Sequence, residues 1–383
     1  MSPEEAHIVF SAVEPAVGRQ AVEDEQPARI VVLPGDGVGP EVVAVAVDVL
    51  RGVADQHGIA IDLEERLVGG AAVDSEGLAI SRQSLALCGR ATAILFGASG
   101  GPRWDHLTDD RRPGSALIRL RRDLDLCVNL RPIRVHPGLE SRSSLRPQLI
   151  RGCDLVIVRE LAGGIYYGDR GRSGAGHTES AYDTMTYSRA EITRVAHAAC
   201  ALAGTRRGRL VSVDKANVLT SSRLWRDVVT EVAAQYPHVV LEHALVDSFA
   251  LRLVQRPADL DVVLTENLFG DILSDEAAAL SGSIGLLPSA SLPAGDRRGP
   301  ALYEPVHGSA PDIAGRGVAN PIGAILSVAL LFEHSLRRPE AAVRVRDAVD
   351  EILAGGVLTA DLGGTATTRQ CGDAVLAALR RGG

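Results

Sequence analysis

Lysine is almost missing from this chain. Of its 40 basic residues, 39 are Arg and one, Lys215, is Lys. An Arg excess on this scale is a compositional bias, of the kind a GC-rich genome imposes. Where a position needs only a positive charge, Arg stands there. Lys has one property that Arg lacks, because it can give up its proton and act as a base. On composition alone, chance survival explains Lys215 equally well.

Other shortages exclude whole classes. Aromatics make up 3% of the residues, too few for a base-stacking platform. Net charge is −8, which disfavours generic nucleic-acid binding. The five Cys (Cys88, Cys127, Cys153, Cys200 and Cys371) are scattered, and no CxxC occurs. Neither a disulfide framework nor a zinc site is expected, and a cytoplasmic location fits. The longest uncharged run, Ala277 to Gly295, is broken by Gly, Ser and Pro and does not read as a membrane span. Glu4, Glu5 and Glu14 precede any basic residue, so no signal peptide is expected.

The rest has the composition of an ordinary globular protein, with 46% hydrophobic and 23% charged residues. Residues 1–28 are acidic and aperiodic, and are expected to form a flexible extension. Beyond them, apolar runs alternate with amphipathic segments. Strands are predicted at Arg29–Leu33, Ala91–Phe96, Leu155–Val158, Leu210–Val213, Val239–Leu241 and Val262–Leu264. Helices are predicted at Glu41–Ala54, Arg189–Ala203, Arg223–Gln235, Asp271–Leu280, Ile322–Leu336 and Glu340–Leu353. The alternation predicts an α/β fold with a mostly parallel sheet. Arg159, Lys215, Glu266 and Asn267 each follow a strand, where open α/β sheets place their sites.

Several motifs carry chemistry. LPGDGVGPE (residues 33–41) sits between a strand and a helix, but its glycines run G-x-G-x-G, not the dinucleotide spacing G-x-G-x-x-G. It reads as a tight turn with Pro40 near a helix start. Asp271 and Asp275 lie one helical turn apart on one face and would suit a hard divalent cation. Two acids favoured by a helix dipole would look the same. Arg121, Arg131 and Arg159 have the two-pronged geometry that binds carboxylates, although among 39 Arg any three could equally be solvated surface. Tyr166 lies in a glycine-rich turn and is a possible proton donor. Residues 304–315, EPVHGSAPDIAG, form a Gly- and Pro-rich loop with backbone groups that could wrap a nucleotide. Lys215 follows an apolar strand, where partial desolvation is expected.

In combination these motifs resemble the metal-dependent β-decarboxylating dehydrogenases, and among them the isopropylmalate dehydrogenases. The resemblance runs from Arg29 to Leu379. It is carried by LPGDGVGPE, LRRDLDLCVNLRP, VIVRELAGGIYYG, VSVDKANVL, NLFGDILSDEAA, GLLPSAS, EPVHGSAPDIAG and DLGGTA. It implies two domains, a discontinuous first one of residues 29–126 and 283–383, and a second of residues 127–282. It implies Lys215 and Tyr166 as the catalytic base and acid. Arg121, Arg131 and Arg159 would bind the malate carboxylates, and Leu117 and Ile118 the apolar substituent. Asp247, Asp271 and Asp275 would hold Mg²⁺ or Mn²⁺. His307, Gly308, Ser309, Ala310, Pro311, Asp312, Ile313 and Asn320 would hold NAD. A homodimer is implied, with Lys215 and Asp247 reaching the site of the partner subunit.

The activity implied is NAD-dependent oxidative decarboxylation of 3-isopropylmalate in leucine synthesis. A sister enzyme for another 3-substituted malate, or for tartrate, is the alternative. Gly114 favours it, since it stands where isopropylmalate dehydrogenases usually carry Glu, and so does Cys127, where an aromatic is more usual. A catalytically silent regulatory subunit is a third reading. The intact Lys215, Tyr166, three Arg and three Asp argue against it. The segments Gly171–Thr184 and Gly295–Pro300 read as surface loops.

Overall fold

The computed structural model describes residues 26–108, 111–295 and 299–381. Residues 1–25 of the expected extension lie outside the described residues, and the first strand starts at Ala28. The chain begins β1 (Ala28–Gly35), α1 (Gly39–Gln56), β2 (Ile61–Glu65), α2 (Gly69–Glu76), α3 (Arg82–Cys88), β3 (Ala93–Ala98). It continues α4 (Ser115–Asp123), β4 (Leu126–Arg134), α5 (Pro147–Ile150), β5 (Asp154–Glu160), β6 (Arg170–Ser173), β7 (Ser180–Asp183), α6 (Arg189–Thr205), β8 (Arg209–Asp214). Then come α7 (Thr220–Ala233), β9 (Val240–Leu245), α8 (Val246–Gln255), β10 (Val262–Thr265) and α9 (Asn267–Ser281). β11 (Pro288–Pro293), β12 (Ala301–Pro305), α10 (Ile322–His334), α11 (Pro339–Ala354) and α12 (Thr368–Arg381) complete it.

One 10-stranded sheet runs in the order β2-β1-β3-β12-β11-β4-β5-β10-β8-β9. Its pairings are parallel at both ends. In the middle, β11 is antiparallel to β12 and to β4, and β4 is antiparallel to β5. The α/β fold with a mostly parallel sheet is the one expected. The apolar runs of β3, β5 and β10 are buried throughout or nearly so, as parallel strands covered by helices on both faces must be. β4, β11 and β12 lacked a sequence signal because Asn, Arg, Ser and Pro interrupt them. No helix among the described residues is long and apolar enough to cross a membrane. The five Cys are buried and free.

Three local features depart from the sequence reading or refine it. α9 starts at Asn267, four residues before the expected Asp271. The cause is Glu266, whose carboxylate accepts from the backbone N–H of Phe269 at 2.6 Å and Leu268 at 3.1 Å, and so caps the helix. The segment read as a loop at Gly171–Thr184 contains a two-stranded antiparallel ribbon, β6 with β7, with mostly exposed side chains. Part of Gly295–Pro300 lies outside the described residues. The turn of LPGDGVGPE is a backbone brace. Gly37 has φ +60, and a Cβ there would sit 1.9 Å from the carbonyl oxygen of Ser309. The next N–H, of Val38, donates to that same oxygen at 2.8 Å.

The middle of the sheet is joined by one buried amide. Asn129 of β4 donates to Ser289 Oγ at 2.7 Å, Ser291 Oγ at 3.2 Å and the Ala290 carbonyl at 3.3 Å, all on β11. It is fully buried, so loss of the amide strands polar atoms on both strands. We expect N129A to lower stability by about 2–3 kcal/mol. An unchanged urea midpoint would refute the joint.

Candidate active site

The strands β4 and β5 set the site. Asn129 and Arg131 alternate onto one face of β4, and Asn129 pairs opposite Arg159 near the end of β5. α9 lies against both strands and turns Asp271 toward them. Arg159 is 1% exposed. Its Nε and Nη2 donate to Asn267 Oδ1 at 3.1 and 2.8 Å, and its Nη1 pairs with Asp271. Arg131 donates from Nε to Asn129 Oδ1 at 2.9 Å and from Nη1 to Ser274 Oγ at 2.5 Å. It also faces Asp271 at 3.4 Å and Asp275 at 3.7 Å. Burial and the neighbouring Arg159 pull the Arg131 guanidinium down to about 10. It is still charged at neutral pH.

Arg121, at the end of α4, donates from Nη2 to Glu304 Oε1 at 2.9 Å. Its Nε is buried and has no hydrogen-bond partner among the described residues. A bound carboxylate would satisfy that donor. Leu117 lies one turn before Arg121 on α4, with Ile118 beside it and partly exposed. A Cβ built on Gly114, just before α4, meets nothing within 4 Å.

Tyr166 closes a short 3₁₀ turn, Gly164–Tyr166, and its hydroxyl donates to Asp271 Oδ2 at 2.6 Å. Arg159 lies over its ring at 5.4 Å. Burial and the Asp271 carboxylate raise the Tyr166 hydroxyl, so it keeps its proton at neutral pH. Burial pushes the Asp271 carboxyl up, but Arg159, the Tyr166 hydroxyl and Arg131 together outweigh it and hold it below the ordinary 3.8. Burial raises Asp275, and the charge of Asp271 adds to that against Arg131. A divalent cation between the two carboxylates would relieve their repulsion, so this pair fits one.

Lys215 and Asp247 do not join this group. They pair with each other, Lys215 after β8 and Asp247 in the first turn of α8. That hydrogen bond lowers the Asp247 carboxyl. The Lys215 side chain is 26% exposed, so the partial desolvation expected for it is present within one chain. Among the described residues, no three His, Cys, Asp or Glu come together as a metal site. Two of the three expected metal ligands are together, and the third is elsewhere.

The loop after β12 is tied to the Gly37 turn through Ser309. Ala310 holds φ +39, a left-handed conformation that costs a non-glycine residue energy. Gly308 and Asp312 are exposed, and a Cβ on Gly308 meets nothing within 4 Å, so the loop is open to solvent there. Pro311 is exposed too, and Ile313 packs part-buried against the core. His307 bonds the Gly308 carbonyl through Nδ1, and burial lowers its imidazole. Asn320 is committed internally. Its amide donates to Asp361 at 3.0 Å, and its oxygen accepts from Ile322 N–H at 3.0 Å, which opens α10.

Asn129 and Ser274 had no place in the sequence reading of the site, Glu304 entered it only as the first residue of the Gly- and Pro-rich loop, and Asn267 had no role. Asn267 had one visible signal, a polar residue at a strand end. Asn129 and Ser274 had none, because the Ser289, Ala290 and Ser291 partners of Asn129 and the Arg131 partner of Ser274 come from distant segments.

Comparison with known proteins agrees with this geometry. A family model described as isocitrate/isopropylmalate dehydrogenase matches residues 29–375. The 3-isopropylmalate dehydrogenase of Anaeromyxobacter dehalogenans is 51% identical over 92% of this chain and 99% of its own length. That of Halalkalibacterium halodurans is 48% identical, covering 92% and 98%. The crystal structure of isocitrate dehydrogenase from Methylococcus capsulatus superposes with TM-score 0.81 at 31% identity, covering 92% of this chain and 99% of that one.

The charge state of Asp271 has a measurable consequence. Because its folded value lies below 3.8, its stabilising charge is fully present above that pH and is lost as pH falls through the folded value. We expect D271N to melt lower than the wild type at pH 7, with the gap closing below pH 3.8. A gap that stays constant on acidification would refute the assignment.

Proposed function

The chain belongs to the isocitrate/isopropylmalate dehydrogenase family, and on that premise we propose that it catalyses NAD-dependent oxidative decarboxylation of 3-isopropylmalate. The products are 4-methyl-2-oxopentanoate and CO₂, a step of leucine synthesis. The observation that carries the substrate is Leu117 and Ile118 on α4, close to Arg121 in sequence. A third carboxylate there, as in isocitrate, would lie on apolar side chains. The two relatives named as 3-isopropylmalate dehydrogenases support the same choice.

In this reading Arg121, Arg131 and Arg159 grip the malate carboxylates, and the unpartnered Nε of Arg121 gains its acceptor. Asp271, Asp275 and Asp247 hold Mg²⁺ or Mn²⁺, and the loop from His307 to Asn320 holds NAD. Asp312 accepts from a ribose hydroxyl and repels a 2′-phosphate, which favours NAD over NADP. The bound cofactor supplies the hydride acceptor, and the cation supplies charge to stabilise the ketone and enolate oxygens. Lys215, in its neutral form, takes the proton of the 2-hydroxyl. Tyr166, which keeps its proton at neutral pH, donates to C3 after CO₂ leaves.

The separation of Lys215 and Asp247 from the arginines supports a homodimer in which each subunit completes the other's site. The chain path supports two domains, residues 29–126 with 283–383 and residues 127–282, crossing at β4 and returning at β11. Five free, buried Cys support a cytoplasmic location. One observation favours a second reading. The open space at Gly114 would admit a 3-substituent larger than isopropyl, aryl or longer alkyl.

Two experiments test these assignments. Rates for a panel of 3-substituted malates, isocitrate and tartrate, with NAD or NADP and either metal, should give the highest kcat/KM for 3-isopropylmalate with NAD. A larger substituent at the top selects the second reading, and no turnover of any member sinks both. K215R and Y166F should each lose at least about 100-fold in kcat. Mixed and allowed to exchange subunits, they should recover about a quarter of wild-type activity, since half the dimers then hold one intact site. No recovery after confirmed exchange would place Lys215 in its own subunit's site.

A further inference from the structure

Asn267 makes more contacts with the site than capping or packing would require. It is 1% exposed at the first position of α9. Its Oδ1 accepts from two nitrogens of Arg159, Nε at 3.1 Å and Nη2 at 2.8 Å. Its Nδ2 donates to the Gly163 carbonyl at 3.1 Å. The reverse amide orientation would press an NH₂ against a guanidinium, so the network fixes which end is which. Gly163 opens the turn that carries Tyr166. Its N–H donates to Glu160 at 3.0 Å, and Tyr187 crowds it and Gly164, where a Cβ would meet the Tyr187 hydroxyl at 2.3 Å. The turn is therefore held from several sides, and the Asn267 amide is the hold that also grips a substrate-binding guanidinium.

We propose that Asn267 is a positioning residue that locks the guanidinium of Arg159 to the Gly163–Tyr166 turn, and so fixes the proton donor relative to the bound carboxylate. The proposal rests on the reaction assigned above. Asp271 also touches both groups, through Arg159 Nη1 and the Tyr166 hydroxyl. Asp271 is partly exposed and is itself assigned to the metal, so its grip on both is shared. The grip of Asn267 is buried and faces nothing else. Aspartate at this position would keep the acceptor for Arg159 and lose the donor to Gly163. Alanine would lose both.

N267D separates the two halves of the lock. Expected is a KM for 3-isopropylmalate within about threefold of wild type, with kcat lower by about tenfold or more. N267A should worsen both constants. In a Y166F background N267D should leave kcat unchanged, because the group it positions is gone. An equal loss of kcat with and without Tyr166, or a rise in KM alone, would overturn the proposal. If N267A does not fold, N267D carries the test. A substrate-free measurement keeps it independent of the assigned reaction. In protein with ¹³C-labelled tyrosine, N267D should shift the Tyr166 ring signals, identified by their loss in Y166F, and leave those of Tyr236 and Tyr303 in place. Unmoved Tyr166 signals would overturn the proposal even if the wild type proved to act on another substrate. Moved signals with no turnover of any malate would support the lock and reject the reaction.

Discussion

The site depends on keeping buried guanidinium groups charged without a ligand. Arg121, Arg131 and Arg159 are all nearly inaccessible to solvent. A buried cation is tolerated only when hydrogen bonds and opposite charge replace its water. Much of the surrounding structure can be read as that replacement. Asn129 and Ser274 serve Arg131, Asn267 and Asp271 serve Arg159, and Glu304 serves Arg121. The antiparallel middle of the sheet follows from the same need. It sets Asn129 opposite Arg159 across β4 and β5, and it lets Asn129 reach β11 as well. The strands that look least like strands in the sequence are those that carry this load.

The satisfaction is incomplete in an informative way. Among the described residues the Nε of Arg121 is left without an acceptor, and Asp271 and Asp275 repel each other one turn apart. One defect calls for an anion and the other for a cation. A carboxylate substrate bound with a divalent metal would answer both. Polar groups that are buried and unpaired cost stability, and active sites are where proteins tolerate that cost.

How much was legible in the sequence follows from how local each signal is. β5 and β10 carry buried apolar runs, and α1, α6, α10 and α11 carry long periodic patterns, so each was visible within its own residues. β4, β11 and β12 were not, because their polar residues are satisfied by partners far along the chain. Asn129 meets Ser289 across 160 positions and Arg121 meets Glu304 across 183. The catalytic, carboxylate-binding and metal residues implied by the resemblance fall into two groups in space. Arg121, Arg131, Arg159, Tyr166, Asp271 and Asp275 converge in one chain. Lys215 and Asp247 stand apart as a pair, and no pattern within one sequence can say where a second copy sits.

That pair gives the scarcity of lysine a physical setting. In the proposed dimer, Lys215 and Asp247 would cross to the partner's site together. An ion pair is close to neutral, so it costs less to desolvate at an interface than either charge alone. Arg at this position could make the same pair but could not later take up a proton, because it stays protonated across the accessible pH range. A bias that supplies Arg at 39 of 40 basic positions would meet no resistance at sites that need only charge. It would meet resistance at a base. The composition then acts as a filter, and the one position it leaves as Lys is the one where the proposed chemistry needs a removable proton.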